Sequence, residues 1–266
     1  MAKTTTYINN PLKIAVDGSK LLFQKAPMAA LILAVLSALG ASNYFGDSAS
    51  TPPADTPIGS PDAVDFAMIV VFVAIAIIFA FGALVVGSIV AGIFAYTSAE
   101  IANGREVIFR QAVKATMDRL WSFVWLQLLT ILKVIGWSLL FVIPGIIMAF
   151  RYSLANLSFF DDKKKLTGNS AIKDSLALTK GAWVTTFAAQ TFLNIITLGS
   201  IGPIVDTGSK AVLYRQFSAM KDDEVKPKPH PLSWVTLGLT ILIVIIVIGL
   251  MSYGLVNYGL SAANFE

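Results

Sequence analysis

Long stretches without charged residues decide what this chain can fold into. One of them, residues 67–95, contains no Asp, Glu, Lys or Arg. About 20 apolar residues in a helix span a hydrocarbon core of about 30 Å, so this run is longer than one crossing needs. A second apolar run covers 120–142, and a third begins at Leu232. These stretches predict an integral membrane protein.

The overall composition supports the same interpretation. Hydrophobic residues make up 56% of the 266 residues and charged residues only 14%, whereas soluble domains carry about 25% charged residues. The chain has no cysteine, which excludes disulfides, thiolate metal sites and cysteine nucleophiles. The net charge of +4 does not predict a nucleic-acid partner, because the basic residues are spread among the apolar runs.

The apolar runs and the turns between them predict seven transmembrane helices. They cover residues 26–45, 67–95, 120–142, 146–160, 183–198, 204–217 and 232–253. Pro144 and Gly145 are predicted to form the turn of the second hairpin, and Gly202 and Pro203 that of the third. The expected fold class is all-α: three hairpins, each preceded by a cytoplasmic amphipathic helix, plus a C-terminal span.

The order of amphipathic helix, span, turn and span occurs three times, in residues 10–98, 105–160 and 169–218. These units have the same orientation, so they read as parallel repeats. Duplication and shared constraints on hairpins both account for the pattern. The predicted organisation is an interfacial N-terminus (1–25), a membrane domain (26–218), a charged linker (219–231) and a C-terminal span with a short outer tail (232–266).

The first amphipathic helix covers residues 10–24, with Asn10 as its N-cap and Pro11 in its first turn. Its predicted apolar face holds Leu12, Ala15, Val16, Leu22 and Phe23. Such a helix either lies along the membrane surface or packs on the protein's own cytoplasmic side. The third amphipathic helix is predicted to be capped by Asn169.

The distribution of basic residues predicts the orientation in the membrane. Sixteen of the twenty Lys and Arg residues lie in the N-terminus, 98–119, 161–182 and 219–231, which alternate as one side of the membrane. The positive-inside rule places this side, and the N-terminus, in the cytoplasm and the C-terminus outside. The predicted location is the cell membrane, as a multi-pass protein.

Five ionisable residues fall within or at the ends of spans, and four of them form the candidate cluster: Lys133, Arg151, Asp206 and Lys210, with Arg215 left outside it. Charged groups inside a bilayer cost at least about 2.5 to 3.5 kcal/mol, so each is a functional candidate. One hypothesis is that the four line a polar cavity that binds an anionic group such as a lipid headgroup. The other is that Arg151 and Asp206 form a structural ion pair while Lys133 and Lys210 reach water.

Two further patterns bear on partners and on chemistry. Ala83, Gly87, Ala91 and Ala95 form a stripe of small residues, where another helix can approach closely and where an oligomer could assemble. The adjacent acids Asp161 and Asp162 stand beside three lysines and are interpreted as a solvated charge run. His230 lies in the linker and is expected to be exposed. No metal site is predicted.

One stretch resembles a known family. The sequence FVIPGIIMAFRYSLANLSFFDDKKKLTGNSAIKDSLALTKGAW is similar to YciC-like bacterial membrane proteins and to the membrane domain attached to some glycerophosphodiester phosphodiesterases. The shared positions are Ile143, Pro144, Gly145, Arg151, Ala171, Ser175, Leu178 and Gly181. The resemblance covers roughly 120–218. It implies a polytopic inner-membrane protein of unestablished activity, without the phosphodiesterase barrel.

The sequence contains no Gly-rich phosphate loop, zinc-ligand spacing or nucleophile elbow, so neither an enzyme nor a cofactor is expected. The first functional hypothesis is a protein that organises or senses anionic lipid, because lysine clusters and amphipathic helices line one membrane face. The alternative is a transporter or permease for a small anionic or lipidic solute that uses the polar cluster.

Overall fold

The computed structural model of the protein describes residues 7–45, 66–220 and 226–263, in which the regular elements are all helices joined by short connections. The helices are α1 Pro11–Lys25, α2 Pro27–Phe45, α3 Phe66–Ala102, α4 Phe109–Asp118, α5 Leu120–Leu140, α6 Val142–Tyr152, α7 Ala155–Phe160, α8 Gly168–Leu178, α9 Trp183–Ile196, α10 Gly202–Ala219 and α11 Pro231–Ala263. The all-α class is therefore confirmed. Residues 46–65, which the Pro, Ser and Asp content predicts to be a loop, and part of the charged linker lie outside the described residues.

The start of α1 follows the prediction. The Asn10 side chain accepts hydrogen bonds from the backbone amides of Leu12 and Lys13, and Pro11 begins the helix. After Lys25 the chain bends by 120° into α2. The Lys25 carbonyl accepts a hydrogen bond of 2.9 Å from the Val107 amide, which fixes this bend beside the loop that follows α3.

The packed face of α1 differs from the predicted apolar face. Gly18 meets Gly208 of α10 backbone to backbone, and a Cβ atom on Gly18 would lie 2.7 Å from the Ser209 amide nitrogen. Small residues allow this approach, which the larger apolar side chains would prevent. Of the predicted face, Ala15 and Leu22 are buried, whereas Leu12, Val16 and Phe23 are exposed. Helix α1 thus packs on the protein itself and leaves a second apolar edge open.

Helix α10 fills the middle of the bundle, in contact with α1, α2, α3 and α9. Two hydroxyl groups connect it to its neighbours. The Ser98 hydroxyl of α3 donates to the Thr207 carbonyl at 2.9 Å, and the Ser209 hydroxyl donates to the Ala189 carbonyl of α9 at 2.9 Å. Such links satisfy buried polar groups where helices lie close together.

Helix α3 has an exposed half and a packed half. Residues 68–83 are exposed on every side, whereas most residues after 91 are buried. In the packed half, Gly92 lies against the Thr116 side chain of α4 and the Phe123 ring of α5. The predicted stripe is divided between the two halves: Ala83 and Gly87 are exposed, Ala91 is half-buried and Ala95 is buried.

The hairpin turns lie next to the predicted Pro and Gly residues. The connection between α5 and α6 is at Phe141, which has extended backbone angles. Pro144 and Gly145 follow it, in the first helical turn of α6. The second connection runs through residues 197–201, and Gly202 and Pro203 are the first residues of α10. Proline is tolerated in a first helical turn because the amide hydrogen that it lacks has no partner there.

Among the described residues, four helical segments are long and apolar enough to cross a membrane: Met68–Ala102, Leu120–Leu140, Val142–Phe160 and Pro231–Gly254. The bent pair α1 and α2 makes a fifth if the two are counted as one span. The predicted spans at 183–198 and 204–217 are not among them. Helix α9 has only 14 residues, about 21 Å, because the chain leaves the helix after Ile196.

Candidate functional site

Asp206 and Lys210 form an ion pair on one face of α10. The Lys210 ammonium lies 2.6 Å from the Asp206 carboxylate, one helical turn apart, as their spacing predicts. Both side chains line a cleft of about 240 Å³. Most of the other lining residues are apolar side chains of α2, α3 and α7, including Leu33, Val90 and Leu157, and the polar residues Ser98, Asn156 and Thr207 complete the walls.

Arg151, near the end of α6, is bound to α8. Its guanidinium donates to the Leu176 carbonyl at 3.2 Å. The Arg151 backbone carbonyl in turn accepts from the Ser175 hydroxyl at 2.7 Å and the Thr179 hydroxyl at 3.2 Å. Both carbonyls stand near helix ends, where intrahelical partners are missing. Three hydrogen bonds therefore attach α8 to this one residue.

Lys133, in the middle of α5, binds the N-terminal end of α8, the end opposite to the one that Arg151 holds. Its ammonium donates to the side-chain oxygen of Asn169, in the first turn of α8. The predicted cap of this helix is wrong by two residues, since Thr167 is the N-cap and exchanges hydrogen bonds with Ser170. That capping box leaves the Asn169 side chain available to Lys133.

The four candidate residues thus occupy two places. Asp206 and Lys210 lie together in the cleft beside α2 and α3, whereas Lys133 and Arg151 hold the two ends of α8 against the hairpin of α5 and α6. The hypothetical ion pair between Arg151 and Asp206 is not formed, because each charge has another partner.

A set of lysines surrounds α8 on its outward side. Lys165, Lys173 and Lys180 are exposed and Lys133 is half-buried. We call these four residues the basic band. None of them takes part in an ion pair with another described residue, whereas the neighbouring Lys164 is bound to Asp174 at 2.8 Å. The basic band therefore presents positive charge that the described part of the protein does not neutralise.

A shallow groove runs beside the basic band. Its walls are Trp121 and Trp125 of α5 and the first residues of α8, Thr167 to Asn169. The two indole rings are 67% and 56% exposed, which is unusual for tryptophan in a water-soluble protein. Tryptophan is enriched at the headgroup level of membranes, so the groove has the composition of a membrane interface.

Sequence reasoning missed a buried polar network at the end of α7. Asp161 is only 4% exposed and accepts a 2.8 Å hydrogen bond from the Tyr214 hydroxyl. Asp174 accepts from the Ser158 hydroxyl at 2.7 Å and from Lys164. Interpreting Asp161 as a solvated charge was wrong; only Asp162 is exposed. The signal available in the sequence was the position of Asp161 directly after the aromatic pair Phe159 and Phe160.

Two other observations limit the chemistry. The described residues contain no group of three His, Asp or Glu side chains that could hold a metal ion. His230 is half-buried, and its Nδ1 atom accepts from the Leu232 amide at the start of α11, so it serves as a helix cap. No family model, curated protein or solved structure matches this chain.

Proposed function

We propose that this chain is a non-enzymatic integral membrane protein that binds anionic lipid headgroups at one face of the bilayer. The observation that carries the proposal is that Lys133 and Arg151 attach α8 to the apolar hairpin of α5 and α6, which places the lysines of the basic band beside that hairpin. Unneutralised lysines and an exposed apolar surface on one rigid unit fit an anionic headgroup joined to acyl chains.

The electrostatic contribution of the basic band has a known scale. Each Lys or Arg near an anionic membrane surface contributes about 1 kcal/mol of attraction. The network around Asp174 and Asp161 holds the loop before α8, so the backbone that carries the band needs no further ordering and only the lysine side chains lose freedom on binding. A fixed set of charges loses less conformational entropy on binding than a flexible tail would.

The membrane setting of the proposal comes from the sequence. The positive-inside rule places the basic band in the cytoplasm, in the inner leaflet of a cell membrane, with the C-terminus outside. Similarity to YciC-like membrane proteins agrees with this setting and stays a proposal. Oligomerisation through Ala83 and Gly87 is also a proposal, supported by the exposure of both residues.

Retention of lipid by the full-length protein tests the proposal. The protein is reconstituted in nanodiscs of mixed phosphatidylglycerol and phosphatidylcholine, and the lipids that remain bound are measured by native mass spectrometry. We expect the wild type to retain phosphatidylglycerol preferentially. Replacing Lys165, Lys173 and Lys180 together by Gln should reduce this preference by about tenfold or more.

The matched control keeps the charge. Replacing the same three lysines by Arg should preserve the preference, since the attraction depends on positive charge. Equal retention of both lipids by the wild type contradicts the proposal. So does an unchanged preference in the Gln variant with an unaltered melting temperature.

A transporter is the second candidate, and the cleft beside Asp206 and Lys210 supports it. Since the chain lacks cysteine, Asn156→Cys places a single reporter thiol on the cleft wall, at a side chain that is only half-buried. A membrane-impermeant maleimide should label it from both sides of the membrane if the cleft opens alternately. Labelling from one side only, or from neither, contradicts transport through the cleft.

A further inference from the structure

The hairpin of α9 and α10 ends far from the N-terminal end of α3. The Ser98 hydroxyl binds the Thr207 carbonyl, and Pro203, at the start of α10, lines the same cleft as Val90. From Val90, α3 continues for 24 more residues to Phe66, about 36 Å. The turn at 197–201 therefore lies more than a hydrocarbon thickness short of that end.

Helix α8 lies across the hairpin of α5 and α6 at the level of Lys133 and Arg151, between the base of the hairpin and its turn. Lys133 is eight residues before the turn at Phe141, about 12 Å, and Arg151 is ten residues after it, about 15 Å. These two residues hold opposite ends of α8, which carries the exposed Lys173 and is followed by the exposed Lys180. Only residues 134–150 extend beyond this polar helix, and they cover about half of a hydrocarbon core.

By length alone α5 could cross a membrane, but its turn has the wrong composition for the water on the far side. Residues 139–143 read Leu-Leu-Phe-Val-Ile, and all five side chains are between 64% and 83% exposed. Five large apolar side chains at the end of a hairpin are stable only when lipid or protein covers them. No described residue of the chain covers them.

Three other segments do lead from one end of the bundle to the other. The bond between Lys25 and Val107 places the end of α1 beside the C-terminal end of α3, so the chain must cross between residues 26 and 66. Helix α3 crosses back. Helix α11 starts beside α8, where Lys226 binds the Leu178 carbonyl, packs on α9, and is exposed from Ile241 to Tyr253.

We infer that neither hairpin crosses the bilayer: α5 with α6 is re-entrant, entering from the side of the basic band and turning back inside the hydrocarbon, whereas α9 with α10 turns back near the headgroups of that same side. The chain then crosses the membrane three times, in the segment begun by α2, in α3 and in α11. The turn at 139–143 is seated among acyl chains, while Lys133, Arg151 and α8 stay at the headgroups. This inference uses the proposed orientation but not the proposed preference for anionic lipid.

The partner of the 139–143 surface is therefore lipid rather than protein. Lys133 and Arg151, which hold α8, lie about 12 and 15 Å back along the hairpin from its tip, a spacing that matches the distance from a headgroup to the middle of a bilayer. Trp121 and Trp125 precede Lys133 in α5 by twelve and eight residues, so they lie farther from the tip of the hairpin than Lys133 does.

Single-cysteine accessibility in the full-length protein tests the inference, because the chain has no cysteine of its own. Leu140→Cys and Leu198→Cys place thiols at the two turns, where both native side chains are exposed. Ser50→Cys reports the outer side, and Lys180→Cys reports the cytoplasmic side. Intact cells and inside-out vesicles are treated with a membrane-impermeant maleimide.

We expect Ser50→Cys to be labelled in intact cells and Lys180→Cys in inside-out vesicles. Neither turn variant should be labelled from outside, and a nitroxide on Leu140→Cys should give an oxygen-accessibility depth inside the hydrocarbon. Labelling of either turn in intact cells at the rate of Ser50→Cys overturns the inference for that hairpin. Labelling does not depend on lipid charge. The labelling result can therefore support the inference about the hairpins even if the protein shows no preference for anionic lipid, and a preference for anionic lipid can be found even if the labelling overturns the inference.

Discussion

Gly18 and Gly208 touch through their backbones, at the point where α1 crosses α10. A Cβ atom on either glycine would overlap the carbonyl of the other, and one on Gly208 would lie 2.7 Å from the Ser19 amide nitrogen. Neither neighbour can turn away, since both are backbone atoms. This crossing fixes the N-terminal helix on the helix in the middle of the bundle.

The first prediction concerns this crossing. Gly208→Ala should destabilise the protein by about 2 kcal/mol or more, because overpacking against backbone forces the two helices apart. The measurement is the thermal unfolding midpoint in detergent. Gly82→Ala is the matched control, because nothing lies within 4 Å of a Cβ atom there, and it should be neutral or slightly stabilising. Equal midpoints for the two variants contradict the prediction.

The second prediction concerns the buried carboxylate of Asp161. Tyr214→Phe removes the hydroxyl that donates to it at 2.8 Å, and should cost about 1 to 3 kcal/mol, since a buried acceptor loses its partner. Chemical unfolding in detergent measures this loss. Asp162→Asn changes the neighbouring exposed acid and should leave the free energy of unfolding within about 0.5 kcal/mol. A comparable effect of both variants argues against the network.

The third prediction concerns the attachment of α8 to α6. Replacing Ser175 by Ala and Thr179 by Val removes both hydroxyl groups that bind the Arg151 carbonyl. Amide hydrogen exchange in residues 168–178 should then become faster, because the helix detaches locally at lower cost. Ser170→Ala removes a hydroxyl from the capping box instead, so its effect should be confined to the first turn of α8.

The fourth prediction concerns the turn of the hairpin of α5 and α6. Gly145 allows α6 to return close to α5, and a Cβ atom there would lie 2.8 Å from the Ser138 Cα atom. Gly145→Ala should lower the unfolding midpoint, and the added change Ser138→Ala should not restore it, because the Cα atom remains in the way. Gly136→Ala is the control, with nothing within 4 Å.

Helix positions and the Asn10 cap were predictable from the sequence, because capping and apolar length are local properties. The packed side of α1 was not. In lipid the apolar faces of helices gain little from meeting each other, so small residues such as Gly18 decide the contact, and Phe23 stays exposed. The most apolar face of α1 in the sequence is therefore largely its exposed side, and the side that packs on the protein is the one with the small residues.

The candidate site was predictable only in part. The pairing of Asp206 with Lys210 follows from their spacing of four residues, which is a local relation. The partners of Lys133 and Arg151 come from α8, and Tyr214 reaches Asp161 across 53 positions of the chain. Hydropathy carries no information about such distant partners, and it also cannot distinguish a complete crossing from a hairpin that turns back.

The central place of α10 has a consequence for synthesis. Its neighbours α1, α2, α3 and α9 all precede it in the chain, so the ribosome delivers the middle of the bundle after most of its surroundings. Until α10 is synthesised, Gly18 and Ser98 lack the residues of α10 that they contact in the folded protein. Nascent chains that stop before residue 202 should therefore be recognised as unfinished by membrane proteases, whereas chains that stop after 219 already contain the helix that closes the assembly.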